Sequence, residues 1–254
     1  MMNKKYVFNI AKNKTPNIKT HIHEKWLRHN IVNNIEGKNN IGIELGVATG
    51  VFSKRMIATN KFKRFYGVDS YSGVHDDDEY KNTLKNVGFH NPVYSLLRLE
   101  FENVIDLFED EYFDFIYVDG FAHTGEEGGK SLIDWYKKLK VGGIMSGDDY
   151  HDDWPLVKWA VNDFAFQLNA EINITGGKED ADYSKYPTWY IQKKKHQFNL
   201  KINEDLYRIS MKEKRRIHNL RMVKQIIKKF LKIIGLKKIV TQILKKLNLH
   251  KIIK

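Results

Sequence analysis

Residues 41–56 read IGIELGVATGVFSKRM and combine a strand, a glycine turn and the beginning of a helix. Apolar residues alternate in the first part, Gly46 and Gly50 follow, and a helical pattern begins at Ser53. Such a unit leaves unpaired backbone N–H groups at its tip, beside the positive end of the helix dipole. These groups suit the polar or negative part of a nucleotide-like ligand that lies against the backbone.

Glu44 narrows the choice of ligand. A carboxylate just before the turn repels a pyrophosphate but attracts an ammonium group, so a nucleoside joined to an amino acid fits better than a dinucleotide. The spacing of Glu44, Gly46, Ala48 and Gly50 resembles the first motif of class I S-adenosylmethionine-dependent methyltransferases, with Ala48 where many members have glycine. The resemblance implies that these four residues bind S-adenosylmethionine. An ordinary structural turn is the alternative.

Composition excludes several classes of protein. The chain has 254 residues, enough for one α/β domain of about 200 residues plus an appendage. It has no cysteine, which excludes disulfides and thiolate metal sites and is compatible with a reducing cytoplasm. No apolar run reaches the length of a signal peptide or of a membrane span, which is about 18 residues. We therefore expect a cytoplasmic protein.

Charge divides the chain unevenly. The net charge is +12, yet residues 193–254 carry 20 Lys and Arg against 3 Asp and Glu, and the remainder is slightly acidic. We divide the sequence into an N-terminal flank or lid, 1–40, a cofactor-binding domain, 41–192, and a basic helical extension, 193–254.

Strand and helix patterns alternate through the middle of the chain and predict a doubly wound, mostly parallel, Rossmann-like α/β sheet. After the first strand, we predict strands at 62–69, 93–97, 112–120 and 144–146, then a closing pair at 171–175 and 188–192. The predicted helices are 102–108, 126–139 and 155–168, with one more at 23–33 in the flank. Residues 70–80, which include an acidic run, are predicted to form a solvated loop.

Acidic residues follow three of these strands. Asp69 ends the second strand, where a carboxylate in doubly wound folds accepts hydrogen bonds from ribose hydroxyls, so we assign Asp69 and the adjacent Ser70 to the cofactor site. A strand-end turn residue is the alternative. Asp119, Asp148 and Asp149 follow the fourth and fifth strands.

These three aspartates converge at the carboxyl edge of the sheet if strands one, four and five are neighbours. Carboxylates so close together repel one another unless a cation neutralises them. Oxygen ligands without thiolates favour Mg²⁺, with Mn²⁺ or Ca²⁺ next. Alternatively, Asp148 and Asp149 only cap the following helix.

Residues 116–150, IYVDGFAHTGEEGGKSLIDWYKKLKVGGIMSGDDY, resemble the signature of the methyltransferase family that includes macrocin O-methyltransferases and related sugar- and antibiotic-tailoring enzymes. The likeness extends from about residue 41 to residue 192. It implies that Asp119, Asp148 and Asp149 bind a divalent metal and that His123 is the base, with Asp119 also catalytic. The sequence departs from the family at Phe121–Ala122, where one residue is usual, and at Gly125, where the family has Tyr.

The resemblance favours an S-adenosylmethionine-dependent, divalent-metal-assisted O-methyltransferase acting on a sugar hydroxyl of a surface glycan or its precursor. A sugar hydroxyl must lose its proton as it attacks the methyl group, which a metal and a histidine base facilitate. The alternatives are methylation of an amino acid or natural product, and a non-catalytic membrane- or RNA-binding protein on the same fold. The acceptor pocket is expected in the segments 1–40 and 176–187, which carry no motif.

The C-terminal segment 214–254 alternates Lys and Arg with an apolar stripe of three- and four-residue spacing, Leu220, Val223, Ile227, Leu231, Ile234, Ile239, Ile243 and Leu247. Basic amphipathic helices of this kind bind anionic membrane surfaces, so we expect peripheral association with the inner face of the membrane. The alternative is packing on the domain or on a second copy, which would make a homodimer. Nucleic acid is disfavoured because Phe230 is the only aromatic residue in the segment.

Truncation after Ser210 separates these alternatives. If the extension binds membrane, the truncated protein stays folded but no longer co-sediments with anionic vesicles. Binding of the full chain should weaken as salt rises, because the Debye length falls from about 10 Å at 0.1 M to about 3 Å at 1 M. Membrane binding would be contradicted by two results together. The truncated protein would unfold or change from dimer to monomer, and the full chain would not bind vesicles even at low salt.

Overall fold

The computed structural model describes residues 4–72, 75–179, 183–196 and 199–233, without the side chains of residues 4, 5 and 224–233. The chain divides after Ser210 into two compact units, Met1–Ser210 and Met211–Lys254. The predicted cofactor-binding and catalytic residues all belong to the first unit.

Eight strands of the described residues form one sheet in the order β1-β7-β8-β6-β5-β2-β3-β4. They are β1 (Thr20–His23), β2 (Asn40–Leu45), β3 (Phe62–Val68), β4 (Tyr94–Leu97), β5 (Phe113–Val118), β6 (Leu139–Gly147), β7 (Ile172–Thr175) and β8 (Trp189–Gln192). All neighbouring pairs are parallel except those that β8 makes with β6 and β7. The predicted mostly parallel α/β sheet is confirmed, and the strands that end at Leu45, Val118 and Gly147 are neighbours.

Helices cover both faces of the sheet. The described helices are α1 (Lys4–Lys14), α2 (Val51–Ala58), α3 (Asp77–Val87), α4 (Phe101–Val104), α5 (Gly125–Gly128), α6 (Lys130–Lys138), α7 (Pro155–Leu168) and α8 (Glu204–Ile233), with 3-10 turns at Arg28–Asn34 and Ile105–Leu107. One apolar cluster joins α1, α6 and α7 to the sheet, and a second joins α2 and the first 3-10 turn to it. The near-continuous apolar run of β5 fits a strand that is buried on both faces.

The predicted flank helix at 23–33 is wrong. Thr20–His23 forms the edge strand β1, which pairs in parallel with β7, and only Arg28–Asn34 turns, as a 3-10 helix. The pairing partner of β1 lies about 150 residues away, so local spacing could not reveal it. Ile31 and Val32 are fully buried and fix the 3-10 turn to the second apolar cluster.

Two other local predictions differ from the structure. The predicted loop at 70–80 includes the beginning of α3, where the carboxylate of Asp76 accepts hydrogen bonds from the N–H groups of Asp78 and Glu79. Acidic residues favour a helix N-terminus, which explains the acidic run. The regular part of the predicted helix at 126–139 begins instead at Lys130, because the short element α5 is a single left-handed turn, with φ of 53° at Glu126 and 50° at Glu127.

The second unit contains most of α8. Among its described side chains, Leu220, Met222 and Val223 are each about half exposed. The rest of the predicted apolar stripe lies outside the residues whose side chains are described. None of the described helices has the length and apolar character that crossing a membrane requires.

Core packing gives the first structural prediction. Ile116 in β5 is fully buried, so Ile116→Ala should lower the free energy of unfolding by about 2–5 kcal/mol through lost burial and the cavity left behind. Leu107→Ala is the control, because Leu107 is 62% exposed and should change stability by less than about 0.5 kcal/mol. Urea unfolding measures both, and equal losses would show that β5 is not the centre of the core.

Candidate active site

The register of the sheet brings four predicted site residues into one row. Leu45 pairs with Val68 on one side and Val118 on the other, and Val118 pairs with Gly147. The next residue on each strand is therefore Gly46, Asp69, Asp119 or Asp148. These four residues lie at the carboxyl ends of adjacent parallel strands, where ligands bind in open α/β sheets.

The glycine turn passes close against the neighbouring strand. A Cβ atom at Gly46 would lie 2.0 Å from the backbone oxygen of Asp119, and the φ of Gly46 is +97°. Ala48 and Gly50 also have positive φ, 49° and 77°. Ala48 thus adopts a left-handed conformation that glycine adopts more easily, which accounts for the glycine of related motifs at this position.

Asp69 holds the turn rather than facing the open space beside it. One carboxylate oxygen accepts hydrogen bonds from the N–H groups of Val47 and Ala48 at 3.1 and 3.0 Å, and the other accepts one from the N–H of Tyr71 at 3.0 Å. Asp69 is buried and does not line the cavity described below. The adjacent Ser70 hydroxyl lies 2.9 Å from that of Ser72, also outside the cavity wall. Their predicted contacts with a ribose stay predictions.

Glu44 is almost completely buried at the base of the turn. Burial raises the pKa of its carboxyl group well above the ordinary value, while a hydrogen bond donated by the Ser53 hydroxyl and the charge of Arg28 act in the opposite direction. A ligand cation placed beside Glu44 would favour the ionised carboxylate. The position therefore suits an ammonium group, as the sequence predicts.

A cavity of about 560 Å³ opens over the glycine turn, within the size range of small-molecule sites. Glu44, Gly46, Ala48 and Asp119 line it, and so do residues that the sequence analysis did not identify as site residues: Arg28, Val47, Thr49, Val51, Phe52, His75 and Tyr183. Val47, Thr49, Val51 and Phe52 lie within the glycine motif 41–56, whereas no pattern in the sequence marks Arg28, His75 and Tyr183. Arg28 and Tyr183 do, however, come from the two segments in which an acceptor pocket is expected.

The ring of Tyr183, in the cavity wall, contacts two arginines. The guanidinium carbons of Arg28 and Arg55 lie 4.9 and 3.8 Å from the centre of its ring, within the range of cation–π contacts. Arg55 also forms a two-pronged ion pair with Glu179, while Arg28 turns toward the aspartates. The stacked side chains hold the loop 183–187 near the 3-10 turn that carries Arg28.

Arg28 pairs with two of the three predicted metal ligands. Its guanidinium lies 2.8 Å from the Oδ2 of Asp148 and 3.7 Å from the Oδ2 of Asp119. The other oxygen of Asp148 accepts a hydrogen bond from the Thr188 hydroxyl at 3.2 Å. The side chains of Arg28 and Asp148 are only about one tenth exposed, whereas that of Asp119 is about one third exposed.

Two further carboxylates stand near this pair. Burial and the charge of Asp148 raise the pKa of Asp149 to about 7. Burial, with the charges of Asp119 and Asp149, raises the pKa of Glu126 well above its ordinary value, and the Oε2 of Glu126 has no hydrogen-bond partner. The sequence pattern predicts that Glu126 begins a helix. The left-handed turn instead turns it into the acidic cluster.

The helix-cap alternative for the acidic pair does not hold, because the next helix, α7, begins at Pro155 and has no side-chain cap. The carboxylates also do not form a metal site as they stand. No group of three or more His, Cys, Asp and Glu residues in the described part of the chain is arranged to hold a metal ion. The oxygens of Asp148 are engaged by Arg28 and Thr188, so the predicted Mg²⁺ at Asp119, Asp148 and Asp149 is not supported.

His123 lies on the exposed side of this region. Its ring packs edge-on against Trp154, with 4.9 Å between ring centres, and it does not line the cavity. Its predicted role as the base stays a prediction. Asp149 is half-buried and lies next to the Asp148–Arg28 pair, and its pKa, raised to about 7, makes it a second candidate for the base.

Gly46→Ala tests the close approach of the turn to β5. The added Cβ would collide with backbone and would also force a positive φ, so we expect a loss of at least about 2 kcal/mol in the free energy of unfolding. Gly37→Ala is the matched control, since Gly37 also has a positive φ, +71°, but no atom near its missing Cβ. It should lose only about 1 kcal/mol. Equal losses in urea unfolding would contradict the collision.

Several solved structures are similar to the chain. An O-methyltransferase from Bacillus cereus in complex with SAH has 13% sequence identity and a TM-score of 0.45, covering 74% of this chain and 90% of that one. Spermidine synthase from Thermotoga maritima has 14% identity and a TM-score of 0.49, covering 72% and 70%.

A third similar structure is the Haloferax volcanii complex between the Trm112 methyltransferase activator and the putative methyltransferase. The match has 16% sequence identity and a TM-score of 0.39 and covers 48% of this chain. This chain spans about half, 52%, of the length of the matched chain. At such identities and TM-scores, none of these similarities carries a functional argument. A comparison with curated protein sequences finds no significant match.

A family model described as a methyltransferase domain matches residues 40–150. The matched segment runs from the first residue of β2 to the residue after Asp149. It therefore contains the glycine turn, Glu44, Asp69 and the aspartates at the ends of β5 and β6. Residues 40–150 are therefore similar to a methyltransferase domain, and the sheet that carries them is of the mostly parallel, Rossmann-like α/β type.

Proposed function

We propose that the protein is an O-methyltransferase that transfers the methyl group of S-adenosylmethionine to a sugar hydroxyl of a surface glycan or its precursor. The observation that carries the proposal is the cavity over the glycine turn, which has Glu44 at its base and Asp119 in its wall. It joins a cofactor site of the methyltransferase domain to a cluster of carboxylates at the same edge of the sheet.

The cavity suits each part of the cofactor. Glu44 offers a buried carboxylate to the ammonium group of the methionine part. The backbone of the glycine turn allows close approach, because Asp69 holds Val47 and Ala48 in place from behind. Val51 and Phe52 add apolar wall for the adenosine part. A preformed wall of this kind reduces the ordering that binding requires.

The chemistry is a single displacement. The acceptor oxygen attacks the methyl carbon, the carbon–sulfur bond breaks with its electron pair going to sulfur, and the hydroxyl proton leaves. The sulfonium becomes a neutral thioether, so positive charge disappears from the cofactor during the step. Holding the oxygen in line with the carbon–sulfur bond supplies much of the rate enhancement.

A carboxylate near the acceptor receives the proton most readily if its pKa is close to the working pH. Asp149, whose pKa is raised to about 7 by burial and by the charge of Asp148, fits that requirement. His123 is the base that the sequence resemblance implies, and it lies on the exposed side. The sequence also predicts Mg²⁺ assistance, but Asp148 is paired with Arg28 and Thr188, and the aspartates do not fit a metal.

Location and partners complete the proposal. We propose a cytoplasmic protein whose basic segment 214–254 docks on the anionic inner face of the membrane, close to membrane-bound glycan precursors. The exposed Leu220, Met222 and Val223 support this docking, since they interrupt a strongly basic helix with apolar side chains. A homodimer formed through the same segment is the alternative that truncation tests.

Cofactor binding is the first test of the proposed function. We expect isothermal titration calorimetry to show binding of S-adenosylmethionine and of its demethylated product to the full chain. Glu44→Gln should weaken binding of both about 10- to 100-fold, because a hydrogen bond to a charged group contributes about 1.5–3 kcal/mol. Unfolding by urea should change little, since glutamine has nearly the shape of the protonated carboxyl group. Glu109→Gln, at an exposed position, is the control.

Transfer is then measured with labelled S-adenosylmethionine over a panel of nucleotide sugars and glycans, with amino acids and small phenols as the competing class of acceptor. Labelled sugar is the expected product. Labelling confined to the competing class would overturn the sugar assignment but leave the methyltransferase in place. No binding of either cofactor form to the unmutated protein would overturn the proposed function as a whole.

A further inference from the structure

Arg28 stands where the sequence pattern puts a metal ion. The aspartates that follow β5 and β6 are the oxygen ligands from which a divalent cation is predicted, yet a guanidinium bridges two of them. Its contact with Asp148 is a hydrogen-bonded ion pair at 2.8 Å, and its contact with Asp119 is a looser one at 3.7 Å. A planar guanidinium, with its several donors, is suited to bridge carboxylates in this way.

The surroundings hold Arg28 in this position. It is the first residue of the 3-10 turn Arg28–Asn34, which the fully buried Ile31 and Val32 fix to the core. The carbonyl oxygen of the Asn30 side chain accepts a hydrogen bond from the N–H of Leu27 at 2.8 Å, which closes the beginning of the turn. Arg28 itself is 8% exposed. The guanidinium is therefore part of the packed structure and not a surface group that a metal would displace at little cost.

Both carboxylate oxygens of Asp148 have partners. Asp148 gives one oxygen to Arg28 and the other to the Thr188 hydroxyl. A divalent ion bound there would compete with Arg28 for the carboxylate and would lie next to a fixed positive charge. Like charges that are buried close together repel strongly because little water screens them.

We propose that Arg28 is the cation of this active site: it takes the place of a divalent metal, pairs with Asp119 and Asp148, and makes the site independent of added metal. Arg28 acts as a positioning residue, since it holds Asp119 in the cavity wall and leaves Asp149 beside the pair. The proposal concerns the site of the proposed methyltransferase. Its central claim, which cation the aspartates bind, does not depend on methyl transfer.

Titration of the full chain with Mn²⁺, followed by electron paramagnetic resonance, tests this claim directly. We expect the unmutated protein to have no stoichiometric Mn²⁺ site, with or without S-adenosylmethionine. Arg28→Gln should create one, because it frees the carboxylates of Asp119 and Asp148 and removes the repelling charge. Arg28→Lys keeps a positive charge and should not create a site, and neither should the double variant Arg28→Gln/Asp148→Asn.

Arg55→Gln is the matched control. Arg55 also stacks on Tyr183, but its carboxylate partner is Glu179, not the aspartates. Removing it should leave Mn²⁺ binding absent, so a Mn²⁺ site in Arg28→Gln alone would be specific to the acidic pair. If loss of the buried ion pair unfolds Arg28→Gln, the unmutated protein and Arg28→Lys still decide the question.

One Mn²⁺ bound per unmutated chain and lost in Asp148→Asn would overturn the proposal, and so would a methyl-transfer activity that chelator abolishes and Mg²⁺ restores. Undiminished transfer in excess chelator supports it. If the chain binds S-adenosylmethionine and transfers no methyl group, while Mn²⁺ appears only in Arg28→Gln, the O-methyltransferase proposal fails and the assignment of Arg28 stands.

Discussion

The parallel register of β3, β2, β5 and β6 is the constraint on which the site depends. Because these strands are hydrogen-bonded in register, their last residues lie side by side, and the residues that follow emerge along one edge. A glycine is required in that row, since the backbone of Gly46 passes too close to Asp119 for any side chain. Three carboxylates then occupy the remaining places. The sheet thus determines both where a ligand fits and how crowded the negative charge around it is.

Crowded carboxylates need compensation, and the structure supplies it in two different ways. Asp69 accepts three backbone hydrogen bonds and so stabilises the glycine turn from behind. Asp119 and Asp148 instead share the charge of Arg28, which reaches them from the N-terminal flank. The same residue type therefore braces a loop at one strand end and joins an ion pair at another. What differs is whether N–H donors or a side-chain cation stands within reach.

Strained backbone is concentrated around the same edge. Ala48 and Asp149 have positive φ, and Glu126 and Glu127 continue a left-handed turn between glycines. Each such residue costs of order 1–3 kcal/mol and persists only where the surrounding packing requires it. The turn carries Glu126 into the interior, where its raised pKa reflects burial among other carboxylates. The strained backbone beside the cavity therefore lowers the free energy of unfolding, and burial of the apolar core offsets this cost.

The sequence by itself determined the central sheet, the glycine turn and the positions of Glu44, Asp119, Asp148 and Asp149. Buried strands and tight turns can be recognised locally, because strands show runs or alternation of apolar residues and tight turns contain glycine. Tertiary structure alone decided what surrounds those residues. Arg28 and Tyr183 come from segments without a motif and reach the cavity through contacts some 90 to 155 positions long, such as those of Arg28 with Asp119 and with Tyr183. The edge strand β1 likewise exists only through its pairing with β7. A list of carboxylates in the sequence therefore implies a cation, but only the folded chain determines which cation stands among them.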